Sequence, residues 1–287
     1  MKKITFLLLA MMAFVFASAQ DAEINQIAEG EQTQDSIKEM RSRLYGPFTI
    51  NQQGDKVYFS QGNLQYQAST DTWRFAEHQW DFVGDDTDGN VFENDIKCNN
   101  ALTSNTYDGW IDVFGWGTGQ NPTFTGCTYD DIDKYREYHE WGDNKIINGI
   151  DHNWRSLTSN EWYYLLMRNR NIKTIKVSYV NVDLQGIQGV ILLPDTWNNE
   201  NYQLSNNSNI NLSISDWYRY FESQGAVFMP VTHKRECNTM QKPKGNGDWG
   251  TNYWSSSQRD DYFGLDNHGM QLQKFYGLMV RLVTDLK

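Results

Sequence analysis

Four stretches of this chain have residue types and spacings that invite a chemical reading, and three of them lack a residue their chemistry needs. HEWGD, His139 to Asp143, opens like a zinc-protease helix, in which two histidines four apart hold the metal from one face. Asp143 stands where the second histidine must be, so the ligand pair is missing. GDDTDGN, 84 to 90, sets Asp86, Asp88 and Asn90 around Gly89, the local chemistry of a calcium loop. Gly84 occupies the first ligand position and Asp95 replaces the bidentate glutamate at the twelfth, so the stretch reads as a solvated Asx-rich turn. FGWGTGQ, 114 to 120, alternates three glycines, but Gln120 breaks the dinucleotide pattern and no helix follows to hold a pyrophosphate. The fourth, TNYWSSSQRDDYFG at 251 to 264, mixes rings, hydroxyls and charges, as where a buried element meets an exposed one. No Gly-x-Ser-x-Gly elbow or phosphate-cradling lysine loop occurs. His78, His139, His152, His233 and His268 lie in unrelated contexts. The expectation is a protein with no catalytic residues, no metal and no cofactor.

The composition supports a folded, exported chain. Of 287 residues, 14% are aromatic, with 11 Trp and 16 Tyr, ample apolar area for a core. Residues 1–19, MKKITFLLLAMMAFVFASA, show a basic start, an apolar run and small residues at Ala17 and Ala19, the pattern of a signal peptide. The run is too short to span a bilayer as a helix, so no membrane span is expected. Gln20, not Cys, follows the cut, which argues against an N-terminal lipid anchor. Removal of the leader takes Lys2 and Lys3 and no acid, moving the formal charge from −11 to −13. Nucleic acid is excluded as a partner, because a polyanion needs a dense basic footprint. Cys98, Cys127 and Cys237 are few for an exported chain. A Cys98–Cys127 bridge and three free thiols are both compatible with the sequence. Location is read as periplasmic or cell-surface.

The elements that would position any site follow from periodicity. Residues 20–45 are polar with no strand-like alternation and read as a linker; one domain is expected over 46–287. Val57/Phe59, Leu64/Tyr66 and Trp73/Phe75 alternate on one face with turn material between them, a meander of short strands. From Val83 to Asn148 the chain is loop-rich. Thr158 and Glu161 stand three apart ahead of Trp162, Leu165 and Leu166, the signature of a capped helix. A second helix is predicted over Ser215 to Gln224, capped by Ser215 and stopped by Gly225. GVILLP (189–194) and AVFMP (226–230) read as buried strands.

WRSLTSNEWYYLL (154–166), GAVFMP (225–230), and NYWSSS followed some twenty residues later by VRLV (280–283) resemble the recurring signature of the C-type lectin-like fold. The branch is the one related to formylglycine-generating enzyme, and the likeness is to exported Bacteroidetes proteins of unknown function. YFSQGNLQYQASTDTWRFAEHQWDFVG (58–84) is similar to the same group. The resemblance implies an α+β domain, two helices flanking a small twisted antiparallel sheet with long irregular loops. It also implies that Tyr253-Trp254 and the closing 280–283 segment lie in one sheet, with the segment between them displayed as a binding face. Gln258, Arg259, Asp260, Tyr262, Asp266, Asn267, His268, Gln273 and Tyr276 would then contact a protein or glycan ligand, with donors, acceptors and flat aromatic surface. Trp254 is assigned to the core. The enzymes of that family use two copper-binding cysteines in the C-terminal part, where this chain has only Cys237; their iron-dependent relatives use histidine clusters, and no such motif occurs. Glu-Pro-Asn and Trp-Asn-Asp, the calcium-dependent sugar signatures, are absent, and Trp197-Asn198-Asn199 precedes the second helix. The expected function is non-enzymatic recognition. Its alternatives are a divergent formylglycine-generating-type enzyme and a structural subunit of a surface appendage or envelope assembly.

Overall fold

The protein is described from a computed structural model. The structure describes residues 42–82, 106–124, 137–146, 153–167, 179–184, 186–198, 200, 202–204, 210–232, 234–236, 239–241, 251–259, 262–265 and 274–286. In chain order its strands are β1 (Phe48–Thr49), β2 (Lys56–Phe59), β3 (Leu64–Gln67), β4 (Thr72–Phe75), β5 (Trp110–Ile111), β6 (Phe114–Gly115), β7 (Arg155–Ser156), β8 (Tyr179–Leu184), β9 (Ile187–Leu192), β10 (Ile210–Leu212), β11 (Val227–Pro230), β12 (Lys234–Glu236), β13 (Thr239–Gln241), β14 (Tyr253–Arg259), β15 (Tyr262–Leu265), β16 (Tyr276–Leu278) and β17 (Leu282–Asp285). Among the described residues two short helical segments join them: α1 (Ser159–Met167) and α2 (Ile214–Asp216). The second runs on as a π-helix over Trp217–Phe221 and a 3-10 turn over Glu222–Gln224.

These strands form five small sheets, ordered β1-β2-β17-β7, β4-β3-β5, β10-β8-β9-β11, β13-β12-β16-β6 and β14-β15. The expected α+β, C-type lectin-like arrangement of two helices flanking one sheet is therefore overturned: the molecule is mostly β. The physical reason is segment length. Strands of two to seven residues offer few ladder bonds each and pair in small groups, and each small sheet buries a face against shared aromatic clusters. The three short strands of the expected meander are present, with Val57 and Phe59 inward on β2 and Trp73 and Phe75 inward on β4, but they do not form one meander: β3 pairs with β4, whereas β2 pairs with β1 and β17 in another sheet. Nearly all pairings are antiparallel; β10 runs parallel to β8.

Three buried clusters hold the sheets together. One gathers Phe48, Phe59, Leu165, Trp162 and Tyr253. A second contains Trp73, Phe75, Phe114, Trp141, Trp154 and Trp254. The third contains Trp197, Trp217, Phe221 and Phe228. Tyr253 and Trp254, adjacent on β14, thus enter different clusters, because successive strand side chains leave opposite faces.

The helix signals divide. Thr158 and Glu161 form the predicted capping box: the Glu161 amide donates to Thr158 Oγ1 (3.2 Å) and the Thr158 amide donates to Glu161 Oε2 (2.7 Å). Thr158→Ala is expected to cost about 1 kcal/mol in chemical denaturation, the usual loss of a cap. Glu161 also joins Arg155, which binds Asp285 in turn. Burial pulls the Arg155 guanidinium down, and the hydrogen bonds and charges of these two carboxylates more than reverse it, for a net upward shift. At the second helix the cap is Ser213, whose Oγ accepts from the Asp216 amide at 3.1 Å; Ser215 does not cap it. Gly225 is the predicted stop, with φ at +84°. A Cβ there would lie 2.0 Å from Gly46 N, so only glycine fits.

Candidate functional site

The sequence reading points to β14 and its surroundings, and that strand divides into two halves with different surroundings. Its inner half is wholly committed to structure. Tyr253 and Trp254 are buried; Tyr253 Oη donates to Asn63 Oδ1 at 2.9 Å and Trp254 Nε1 donates to the Phe114 carbonyl at 2.6 Å. Indole groups of Trp162 and Trp116 donate to the Trp254 and Ser255 carbonyls. The three serines answer to the start of α1. The Ser159 amide donates to Ser257 Oγ (3.1 Å), the Ser159 hydroxyl donates to the Ser257 carbonyl (2.6 Å) and lies 2.8 Å from Ser255 Oγ, and the Ser256 amide donates to the Leu157 carbonyl. Hydroxyls follow the aromatic pair because a helix N-terminus, whose first amides lack intrahelical partners, packs there.

The expected shared sheet of Tyr253-Trp254 with 280–283 is corrected. β14 pairs with β15, whereas β17 lies between β2 and β7, with Val283 opposite Phe59. The aromatic pair instead meets Met279, the residue before the 280–283 segment, at an isolated bridge to Tyr253, where the Trp254 amide donates to the Met279 carbonyl at 2.9 Å and the Met279 amide to the Asn252 carbonyl at 3.1 Å.

The outer half of β14 turns into β15, with Arg259 opposite Tyr262 and an irregular register between Trp254 and Arg259. The backbones of Gln258, Arg259 and Tyr262 are thereby placed on one hairpin, and β15 has no second strand partner among the described residues. The side chains of those three, and Asp260, Asp266, Asn267, His268 and Gln273 altogether, lie outside the described residues. Tyr276 belongs to another sheet, on β16 between β12 and β6; its half-buried ring packs on the second cluster, with Lys234 Nζ 4.3 Å from the ring centroid. Lys274 Nζ lies 4.1 Å from the Trp116 centroid, and burial lowers its pKa. Neither lysine was a sequence candidate. Lys234 meets Tyr276 across the β12–β16 pairing and Lys274 meets Trp116 beside the β16–β6 pairing, both nonlocal, and no short motif carries either.

Behind the hairpin root, the fully buried Arg281 guanidinium donates to Gln79 Oε1 (3.0 Å), to the Gln61 carbonyl (3.1 Å) and, at 3.4 Å, to Asn63 Oδ1. Burial lowers its pKa to about 10, which leaves it charged at neutral pH. Glu140, from the protease-like motif, accepts from the Trp141, Gly142 and Ser156 amides, the Ser156 hydroxyl and the Tyr138 phenol. It caps a 3-10 turn over Trp141–Asp143, with no metalloprotease helix there. Among the described residues no three His, Cys, Asp or Glu side chains gather as a metal site would need. Asp86, Asp88, Asn90, Asp95 and the three cysteines lie outside them. No helix among the described residues is long and apolar enough to cross a membrane.

Burial pushes the phenols of Tyr66, Tyr138 and Tyr253 up, that of Tyr66 to about 12 with help from its hydrogen bond to Asp71. An acid whose folded pKa exceeds its unfolded value of about 10 contributes stability below pH 10 that is lost as pH rises through the folded value. Unfolding free energy is expected to fall above pH 10 in denaturant titrations. Tyr66→Phe should fall less steeply between about pH 10 and 12; an equal slope would remove Tyr66 as a source.

Comparison with protein-family models, curated proteins and solved structures returns no match.

Proposed function

We propose that the chain is an exported, non-enzymatic recognition protein that binds a protein or glycan ligand through the 258–276 face. The observation that supports this reading is the division of β14. The rings and serines of its inner half bond to the clusters and the start of α1, whereas its outer half is placed against β15, whose other edge has no strand beside it among the described residues. A rigid root carrying a hairpin with adaptable polar and aromatic residues is an economical way to build a contact surface without reactive groups. Tyr276, packed on the second cluster, acts in this scheme as a floor under Lys234 more than as a free contact.

The test uses the chain from Gln20 onward on an array of glycans and envelope surface proteins. Arg259→Ala with Tyr262→Ala should lose binding at least about tenfold, as for central contact residues. Binding unchanged in the double variant would contradict the assignment.

A further inference from the structure

Five aromatic rings of the described chain each carry one of its own cations: Arg43 over Tyr58, Arg74 over Trp110, Arg219 over Tyr220, Lys234 over Tyr276 and Lys274 over Trp116, at 3.6 to 5.1 Å from the ring centroids. One outer aromatic group departs from this pattern. His78 stacks on Trp80 (centroids 4.9 Å, planes 9° apart), Tyr218 meets Trp80 edge-on at 5.9 Å, and Tyr218 Oη lies 2.9 Å from His78 Nδ1. Trp80 packs inward on the third cluster, which leaves Tyr218, 39% exposed, as the outward ring beside a half-buried His78. Among the described residues no cation of the chain lies over these rings. The charges that reach the Tyr218 phenol are those of Glu222, Asp81 and Glu77, which add to burial in pushing its pKa up. Arg74, whose charge reaches Asp81, is itself stacked on Trp110 and bonded to Gln65.

The corner is also held in shape. Gln79, between the two rings in sequence, is buried and bonded to Glu222, the Ala226 carbonyl, the Phe228 amide and Arg281. Asp81 accepts from the His78 amide, and Glu222 from the Trp217 indole as well. Tyr218 projects from the π-helix, an insertion into helical geometry that is common at functional sites.

We propose that this corner docks an arginine side chain presented by a basic segment of a partner protein. Ring quadrupoles favour a cation, and the exposed Glu77 carboxylate adds to them; Asp81 and Glu222 add less, because the charges of Arg74 and Arg281 already reach them. A planar, weakly hydrated guanidinium stacks on phenol and imidazole faces as an ammonium does not. The net charge of −11 steers basic partners toward the molecule. The site uses none of the 258–276 residues and does not rest on that reading.

The experiment is an NMR titration of ¹⁵N-labelled protein with acetyl-Gly-Arg-Gly-Arg-Gly-amide, read at the Trp80 indole N–H, assigned through Trp80→Phe. Citrulline and lysine versions of the peptide serve as comparisons. A saturable shift is expected, about tenfold weaker with the citrulline peptide and in Tyr218→Ala, and weaker in Glu77→Gln. No saturable shift, equal binding by the citrulline peptide, or equal binding by Tyr218→Ala overturns the proposal, and equal binding of the lysine peptide overturns the guanidinium assignment. Should Tyr218→Ala fail to fold, Glu77→Gln, at a solvent-exposed position, decides: unchanged affinity there overturns it. Arg259→Ala with Tyr262→Ala must bind the peptide as the wild type does; loss would move the site to the other face.

Discussion

Gln79→Leu is expected to destabilise the fold by about 3–5 kcal/mol, the usual consequence of removing one partner from a buried charge. Gln79 Oε1 accepts from Arg281 Nη2 (3.0 Å) and the Phe228 amide (2.8 Å), while Nε2 donates to Glu222 (3.0 Å) and the Ala226 carbonyl (3.2 Å). Leucine fills the space and supplies none of these bonds. The Phe228 amide on β11 and the guanidinium then lie buried without that acceptor, and each incurs its desolvation penalty. Much of the loss comes from stranding Arg281, so the double variant with Arg281→Met should be less destabilised than the sum of the single variants, by about 1 kcal/mol or more. Chemical denaturation of all four proteins measures this. Strict additivity would mean that the two side chains are not energetically linked.

Trp254→Ala is the second large expected loss, again about 3–5 kcal/mol. The indole is buried in the second cluster, donates to the Phe114 carbonyl, and sits beside the carbonyl that receives the Trp162 indole. Alanine leaves a cavity where two clusters are pinned together. The neighbours that would have to close it belong to several sheets, so collapse is restricted. Trp254→Phe keeps much of the volume and loses the N–H bond, and is expected to fall between wild type and alanine in the same denaturation experiment.

How far such features can be read in advance depends on their range along the chain. The Thr158–Glu161 box, the Gly225 stop, the apolar strands near 189–194 and 226–230 and the burial of Trp254 are local matters of three to six residues, and the sequence carries them. Sheet membership is not local. Val283 lies opposite Phe59, and Tyr276 opposite Glu236, so neither pairing leaves a trace in neighbouring residues. The expectation of two helices around one sheet failed for that reason: the motifs that suggested it are local, and the division into five sheets is made by distant partners. The second helix was displaced by two residues at its cap because Ser213 and Ser215 are equivalent as letters, and only the Ser213 hydroxyl meets the Asp216 amide. The corner of His78, Trp80 and Tyr218 was invisible for the same cause, since 140 residues separate His78 from Tyr218.

The division of β14 into a structural root and a display half is tested most directly by thermal unfolding of Trp254→Ala beside Arg259→Ala with Tyr262→Ala. At roughly 2–4 °C per kcal/mol for a chain of this size, the root variant is predicted to melt about 6–20 °C below wild type and the hairpin variant within about 2 °C of it. A hairpin variant that melts as low as the root variant would show that the outer half is core, and would remove the surface proposed for recognition.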